Sequence, residues 1–206
     1  MSAGGGRHGG TSKPLIITSS TAMGSTVPGD PASEDAFNPD SPNPRVASEL
    51  AGQALSGRGI RVIVVRNSQI HDTRKQGLVS DIIGLARKKG VSAYVGEDTN
   101  TWSAAHVLDT ARLYRMALER NEAGARYHGT AEGAISFRDI AEAIGQTFGL
   151  PVKSVSADEA GAHFGWLAAF ASKDMSASST LTRKRLGWQP EGPTLLADIC
   201  AMTAAG

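Results

Sequence analysis

The chain has 206 residues, 40% of them hydrophobic and 20% charged, an ordinary globular composition. Lys and Arg number 21 against 20 Asp and Glu, and the resulting net charge of +1 gives no electrostatic case for nucleic acid or an anionic membrane as partner. A single cysteine, Cys200, excludes an internal disulfide framework, and no apolar run approaches the roughly 18 residues of a membrane span.

Residues 1–13 hold five glycines and read as a flexible N-terminus. Gly6 and Gly9 have GxxG spacing, but a phosphate-cradling loop needs a strand before it and a helix after it, and neither is there. There is no apolar leader core either, so a cytoplasmic location is expected. "PLIITSS" (14–20) reads as a buried strand ending in small hydroxyl residues. Residues 24–43, rich in Gly, Pro, Ser and Asp, read as a surface loop. A helix is expected over about 44–56 with Val46, Leu50, Ala54 and Leu55 on its apolar face. "IRVIVVR" (60–66) is β-branched and unbroken, the mark of a strand buried on both faces.

Residues 77–90 predict a helix with apolar positions 78, 82, 85 and 86, a basic last turn and Gly90 as its stop. "VSAYVG" follows as a strand, and Asp109 is placed as the cap of a helix carrying Leu113, Met116 and Ala117 inward. "ARYHGT" (125–130) is another strand. Ser136 with Asp139 opens a helix that Gly149 ends, and "PVKSVS" is a short strand. Ser156 with Glu159 opens a further helix, and "SSTLTRKRLGWQP" gives a short one stopped at Gly187 and Pro190. The basic run 182–185 reads as a solvated helix face. Strands alternating with helices predict an α/β fold with parallel pairing.

The ordered series "TSS", "NPRVASELAGQAL", "RVIVVRNSQIHD", "YVGEDTNTWSAAHVLDTARLYRMALE" and "LGWQP" resembles the C-terminal half of the NAD-dependent epimerase/dehydratase family, the extended and atypical short-chain dehydrogenases/reductases. The resemblance runs from Pro14 to the end of the chain. It implies part of a Rossmann-like parallel sheet with helices plus a small C-terminal α/β substrate lobe. The corresponding division is a flexible 1–13, a sheet half 14–110, and a lobe 111–206 interleaved with that half. It also implies NAD or NADP as cofactor, a small hydroxyl/carbonyl or nucleotide-sugar substrate, and a homodimer or a partner chain that completes the sheet.

Carried over residue by residue, the family's catalytic Ser/Thr falls among Ser19, Ser20 and Thr21. Its Tyr and Lys, four apart on one helix face, fall on Arg45 and Glu49. An Arg cannot exchange a proton near neutrality, since its pKa exceeds about 12. No YxxxK occurs elsewhere: the residues four beyond Tyr94, Tyr114 and Tyr127 are Asp98, Leu118 and Ala131. Ser20, Arg45 and Glu49 thus occupy the catalytic positions, and Arg45 and Glu49 are expected to form an i,i+4 ion pair on an exposed face, to contact ligand, or, for a desolvated Glu49, to serve as general base.

Arg66, Asn67 and Ser68 lie where the family's cofactor and substrate meet the sheet, with the alternative that Arg66 pairs with an acid and the other two make a turn. His71, Trp102, His106 and Trp166 are candidates for substrate contact. Core packing for Trp166, a turn or capping role for His71 and a buried, hydrogen-bonded His106 are the alternatives. His71, His106, His128 and His163 lack the spacing of a metal site. The Gly-rich loop of the family is missing. The resemblance thus implies a truncated, catalytically impaired member, or a non-catalytic binding or interaction module derived from one.

Overall fold

A computed structural model describes residues 13–97 and 100–202. The expected flexible N-terminus lies outside the described residues, apart from Lys13. Three parallel strands form the first sheet: β1 (Leu15–Ser20), β2 (Val62–Asn67) and β6 (Arg126–Gly129), in the order β1-β2-β6. Ser20 stands beside Asn67, and Asn67 beside Gly129, so the three carboxyl ends are level. Helix α1 (Val46–Gly57) packs on one face, and α3 (Val107–Arg120) covers the other. On the α3 side Ile63, Val65, Leu113, Ala117, Tyr127 and Trp188 make a closed core.

The second sheet joins β3 (Gln69–His71), β5 (Thr101–His106) and β7 (Glu132–Ser136). β3 runs parallel to β5, and β7 antiparallel to it. β4 (Ser92–Val95) pairs in parallel with β8 (Val152–Val155). Around these strands lie α2 (Leu78–Lys89), α4 (Phe137–Phe148), α5 (Ala157–Phe164), α6 (Ala168–Ala171) and α8 (Leu195–Ala201). They share a larger core that includes Ile82, Trp102, Phe137, Ile144 and Leu195. Helix α7 (Thr180–Leu186) lies against β6 and α3.

Local chemistry explains most of these boundaries. Gly90, Gly149 and Gly187 each end a helix in the left-handed conformation. Ser156 and Glu159 form the expected reciprocal cap of α5.

Three expectations need correction. β1 is not a buried strand: Leu15 and Thr18 are exposed, because no strand among the described residues pairs with its outer edge. The apolar face predicted for α1 is not its buried face: Leu50 and Ala54 are exposed, and Val46 and Leu55 are only half-buried. The helix instead buries Glu49 and Gly52, and a Cβ on Gly52 would stand 2.6 Å from Ile17 Cδ1. Asp109 does not cap α3. His106 does, accepting from the Leu108 amide through Nδ1 at 3.3 Å.

Candidate functional site at the carboxyl edge of the sheet

A strand-to-strand connection through α1 brings that helix's N-terminus back to the carboxyl ends of β1 and β2, the edge where α/β sheets bind ligands. On the α1 face, Ser19, Arg66 and His128 stand in register. Arg66 lies near the end of a strand buried almost throughout, so its guanidinium needs fixed counter-groups. Nε and Nη2 donate to the two carboxylate oxygens of Glu49, each at 2.8 Å. Nη1 donates to the carbonyls of Ala36 at 2.8 Å and Ser33 at 3.2 Å, which pins the 24–43 loop across the sheet end. Arg126 adds a second cation 3.4 Å from Glu49, and the Phe37 ring lies against both arginines.

The expected exposed pair of Arg45 with Glu49 is therefore not formed. Glu49 is 1% exposed and wholly engaged by Arg66, while Arg45 stands exposed in the cap position of α1. Burial works to raise the Glu49 pKa, but the hydrogen bonds and charge of Arg66 outweigh it and hold the carboxyl below its ordinary range. The Ser19 hydroxyl lies beside Glu49 and helps in the same direction, without a partner of full hydrogen-bond geometry. Of the two readings of Arg66, pairing with an acid is the one observed.

The network continues into the C-terminal segment. His128 donates from Nδ1 to the Ser178 carbonyl at 2.8 Å, and its Nε2 faces Arg66 Nη1 at 3.5 Å. Its backbone N–H donates to Thr182 Oγ1, whose hydroxyl donates to buried Glu34 at 2.8 Å. Burial pushes the His128 pKa down to about 4, and the Arg66 charge adds to that against the opposing pull of Glu34.

On the α3 face the sheet end carries hydroxyl and amide groups. Thr18 Oγ1 and the Tyr114 hydroxyl share a hydrogen bond of 2.7 Å, and Asn67 Nδ2 donates to the same hydroxyl at 3.2 Å. Asn67 Oδ1 is buried without a partner. Ser68 donates to the Gly129 carbonyl at 2.6 Å, and Ser20 Oγ caps the turn that follows β1 by accepting from the Ala22 amide. Thr21 is buried in that turn. Sequence reasoning misses Tyr114 because it seeks a tyrosine with Lys four residues on; the strand-end register that brings Tyr114 to Thr18 and Asn67 is a long-range fact.

The substrate-contact candidates separate. His71 and His106 meet, with ring centroids 5.7 Å apart, beside Asp198 and Glu132. Trp102 is 0% exposed and packs on Phe137 at 4.8 Å, deep in the larger core. Trp166 is 64% exposed, with its ring 6.1 Å from that of Phe170. Asp109 holds a different join: its carboxylate accepts from Arg112 and from the Glu191 and Gly192 amides, while its carbonyl accepts from Trp188 Nε1. Among the described residues no group of three or more His, Cys, Asp or Glu could hold a metal ion.

For a dinucleotide, the orphaned Asn67 oxygen, Ser20 and the Tyr114 hydroxyl are suitable hydrogen-bonding groups at the carboxyl edge. A pyrophosphate also needs a glycine loop between strand and helix, with backbone N–H groups turned inward. The described residues contain no such cradle: the link from β1 to α1 is the pinned 24–43 loop. The fit is partial.

This arrangement has counterparts among solved structures, which share its Rossmann-like α/β fold. A dTDP-glucose 4,6-dehydratase of Bacillus anthracis in complex with NAD superposes with a TM-score of 0.68 at 16% identity, covering 91% of this chain and 59% of that one. A UDP-glucose 4-epimerase of Thermus thermophilus in complex with NAD gives 0.65 at 18% identity, over 91% and 62%. A human epimerase family protein with NADPH gives 0.66 at 19% identity, over 92% and 65%. In sequence, the chain is 40% identical over 193 residues to the uncharacterized protein C2A9.02 of Schizosaccharomyces pombe. It is 39% identical over 194 residues to the uncharacterized protein YLL056C of Saccharomyces cerevisiae. These alignments take in 93% of this chain but 65% and 64% of the two relatives. No family model matches the sequence. Among the described residues, no helix is long and apolar enough to cross a membrane.

Proposed function

We propose that this chain is the sheet-edge and substrate-lobe portion of a cytoplasmic, NAD(P)-linked protein of the epimerase/dehydratase family. Its substrate would be a small hydroxyl/carbonyl compound or a nucleotide-sugar, and by itself the chain would be catalytically impaired. The observation that carries this is the open outer edge of β1 beside a carboxyl edge furnished with Ser20, Asn67 and Tyr114. Parallel strands from another segment or chain, bearing the pyrophosphate cradle, would pair there. Arg45, exposed at the N-terminus of α1, would be the cation that meets an anionic ligand at that edge. Glu49 takes no part in ligand contact on this reading, since both of its oxygens are held by Arg66. The alternative is a non-catalytic binding module, and the fully engaged Glu49 favours it at the helix where the family keeps its proton-transfer pair.

Calorimetry with NAD(H) and NADP(H) tests the proposal on two samples: the chain alone, and the chain co-expressed with the third of the fungal relative outside the aligned region. Micromolar binding by the pair and none by the chain alone is the expected result. No binding by a folded pair would leave the binding module. Micromolar binding by the chain alone would mean that its own residues grip the pyrophosphate, and the two-part reading would fall.

A further inference from the structure

We propose that His71, Glu132 and Asp198 form a proton-dependent clasp that fastens α8 to the β3–β5–β7 sheet. The clasp is independent of the function proposed above and needs no ligand. Its members come from three elements distant in sequence: β3, β7 and the C-terminal helix. His71 Nδ1 lies 2.7 Å from Asp198 Oδ2, and both side chains are buried, at 0% and 4% exposed. His71 Nε2 is also buried and has no hydrogen-bond partner. It faces Glu132 Oε2 at 3.9 Å, and that same oxygen accepts from the Leu195 amide in the first turn of α8 at 2.8 Å. His106 Nε2 stands 3.9 Å from Asp198 on the remaining side, and Asp72 faces His106 in turn.

Asp198 is a buried carboxylate whose hydrogen bond comes from His71, so the Nδ1–H is in use. One further proton then decides the fit on the other side of the ring. With it, opposite charges or a carboxyl O–H face each other across the 3.9 Å from Nε2 to Oε2, an attractive approach that keeps Glu132 on the Leu195 amide while Asp198 ties α8 to β3. Without it, an imidazole lone pair faces a carboxylate, a repulsive contact in a desolvated site. Burial raises the Glu132 pKa, the direction that retains a proton here. The stabilisation is present while the pair holds its proton and is lost as pH rises through the point where the proton leaves. α8 has a second hold on α4, where Thr147 Oγ1 donates to the Ile199 carbonyl at 3.2 Å, so release leaves the helix loosened in place.

Hydrogen exchange of the α8 amides, corrected for the intrinsic pH dependence of exchange, tests the clasp in the intact chain. Protection of α8 is expected to fall about tenfold as pH is raised from acid to alkaline, while α2 keeps its protection. Glu132→Gln should flatten the pH response of α8, since its carbonyl oxygen still accepts from Leu195 while the side chain carries no charge to lose or gain. His71→Gln, which cannot titrate, should show no pH response in α8. The proposal is overturned by flat wild-type protection, or by an unchanged pH response in either variant. Should one variant not fold, the wild-type profile and the other variant decide.

Discussion

Glu49 and Arg66 show how a polar pair can hold the end of a parallel sheet. Two charges removed from water are tolerated because each has a partner at 2.8 Å and the leftover guanidinium donors reach carbonyls of the covering loop. Removing one member strands the other. Glu49→Gln is expected to lower stability by about 3–5 kcal/mol, measured by urea unfolding at neutral pH. The double change Glu49→Leu with Arg66→Met should recover a large part of that loss. The same urea series taken to acid should show two effects of the same sign. His128 binds its proton in the unfolded chain near 6.5 but in the folded one at about 4, so stability falls as pH drops through that interval. Glu49, depressed below 4.5 by Arg66, adds a loss as pH falls further through its folded value. A midpoint that rises on acidification would mean that neither group is held as described.

At the scale of elements, two helix glycines that look alike in sequence differ in their surroundings. Gly84, in α2, has open space where a Cβ would stand, with no neighbouring atom within 4 Å, so Gly84→Ala should stabilise by about 0.5–1 kcal/mol through helix propensity. At Gly145, in α4, a Cβ would stand 2.4 Å from Val152 Cγ2 and 3.0 Å from the Leu150 carbonyl. Gly145→Ala should therefore destabilise by about 1–3 kcal/mol; thermal melts of the two variants give the comparison, and equal shifts would sink it. What is legible in the sequence follows the same local-versus-distant divide. α2, α4 and α5 announce themselves by caps, glycine stops and apolar spacing, all contained within a few residues. β5 escapes because "TWSAAH" is mostly small and does not alternate. β7, with Ile135 its one large apolar residue, gives no periodic signal, and α8, seven residues long, is too short for its Leu195/Ile199 spacing to stand out. α1 misleads because its apolar stripe is not its buried face and its inward positions are Glu49 and Gly52, suited to Arg66 and to close approach to Ile17. The partnership of His71 with Asp198 spans 127 residues, and no spacing rule reaches it.

For the whole molecule, the decisive feature is an asymmetry between the two sides of the first sheet. β2 is covered on both faces and paired on both edges, whereas β1 presents backbone donors and acceptors and the exposed Leu15, with no strand beyond among the described residues. Such an edge is a template for another strand. The Leu15 amide donates inward to the Arg61 carbonyl, so in a parallel pairing the Ile16, Thr18 and Ser20 amides alternate toward the open side. A chain held without its complement should therefore associate with itself: its sedimentation coefficient is expected to rise with concentration. Replacing Leu15 and Thr18 with Lys should suppress that rise by placing charge on the edge. The Thr18 change also removes the bond to Tyr114, at a cost of about 1 kcal/mol, too little to unfold the domain. Wild-type chain that stays monomeric at every concentration would mean that the edge is already covered. The reading of β1 as a docking strand would then have to be given up, and the search for a pyrophosphate cradle would move to the chain's own remaining residues.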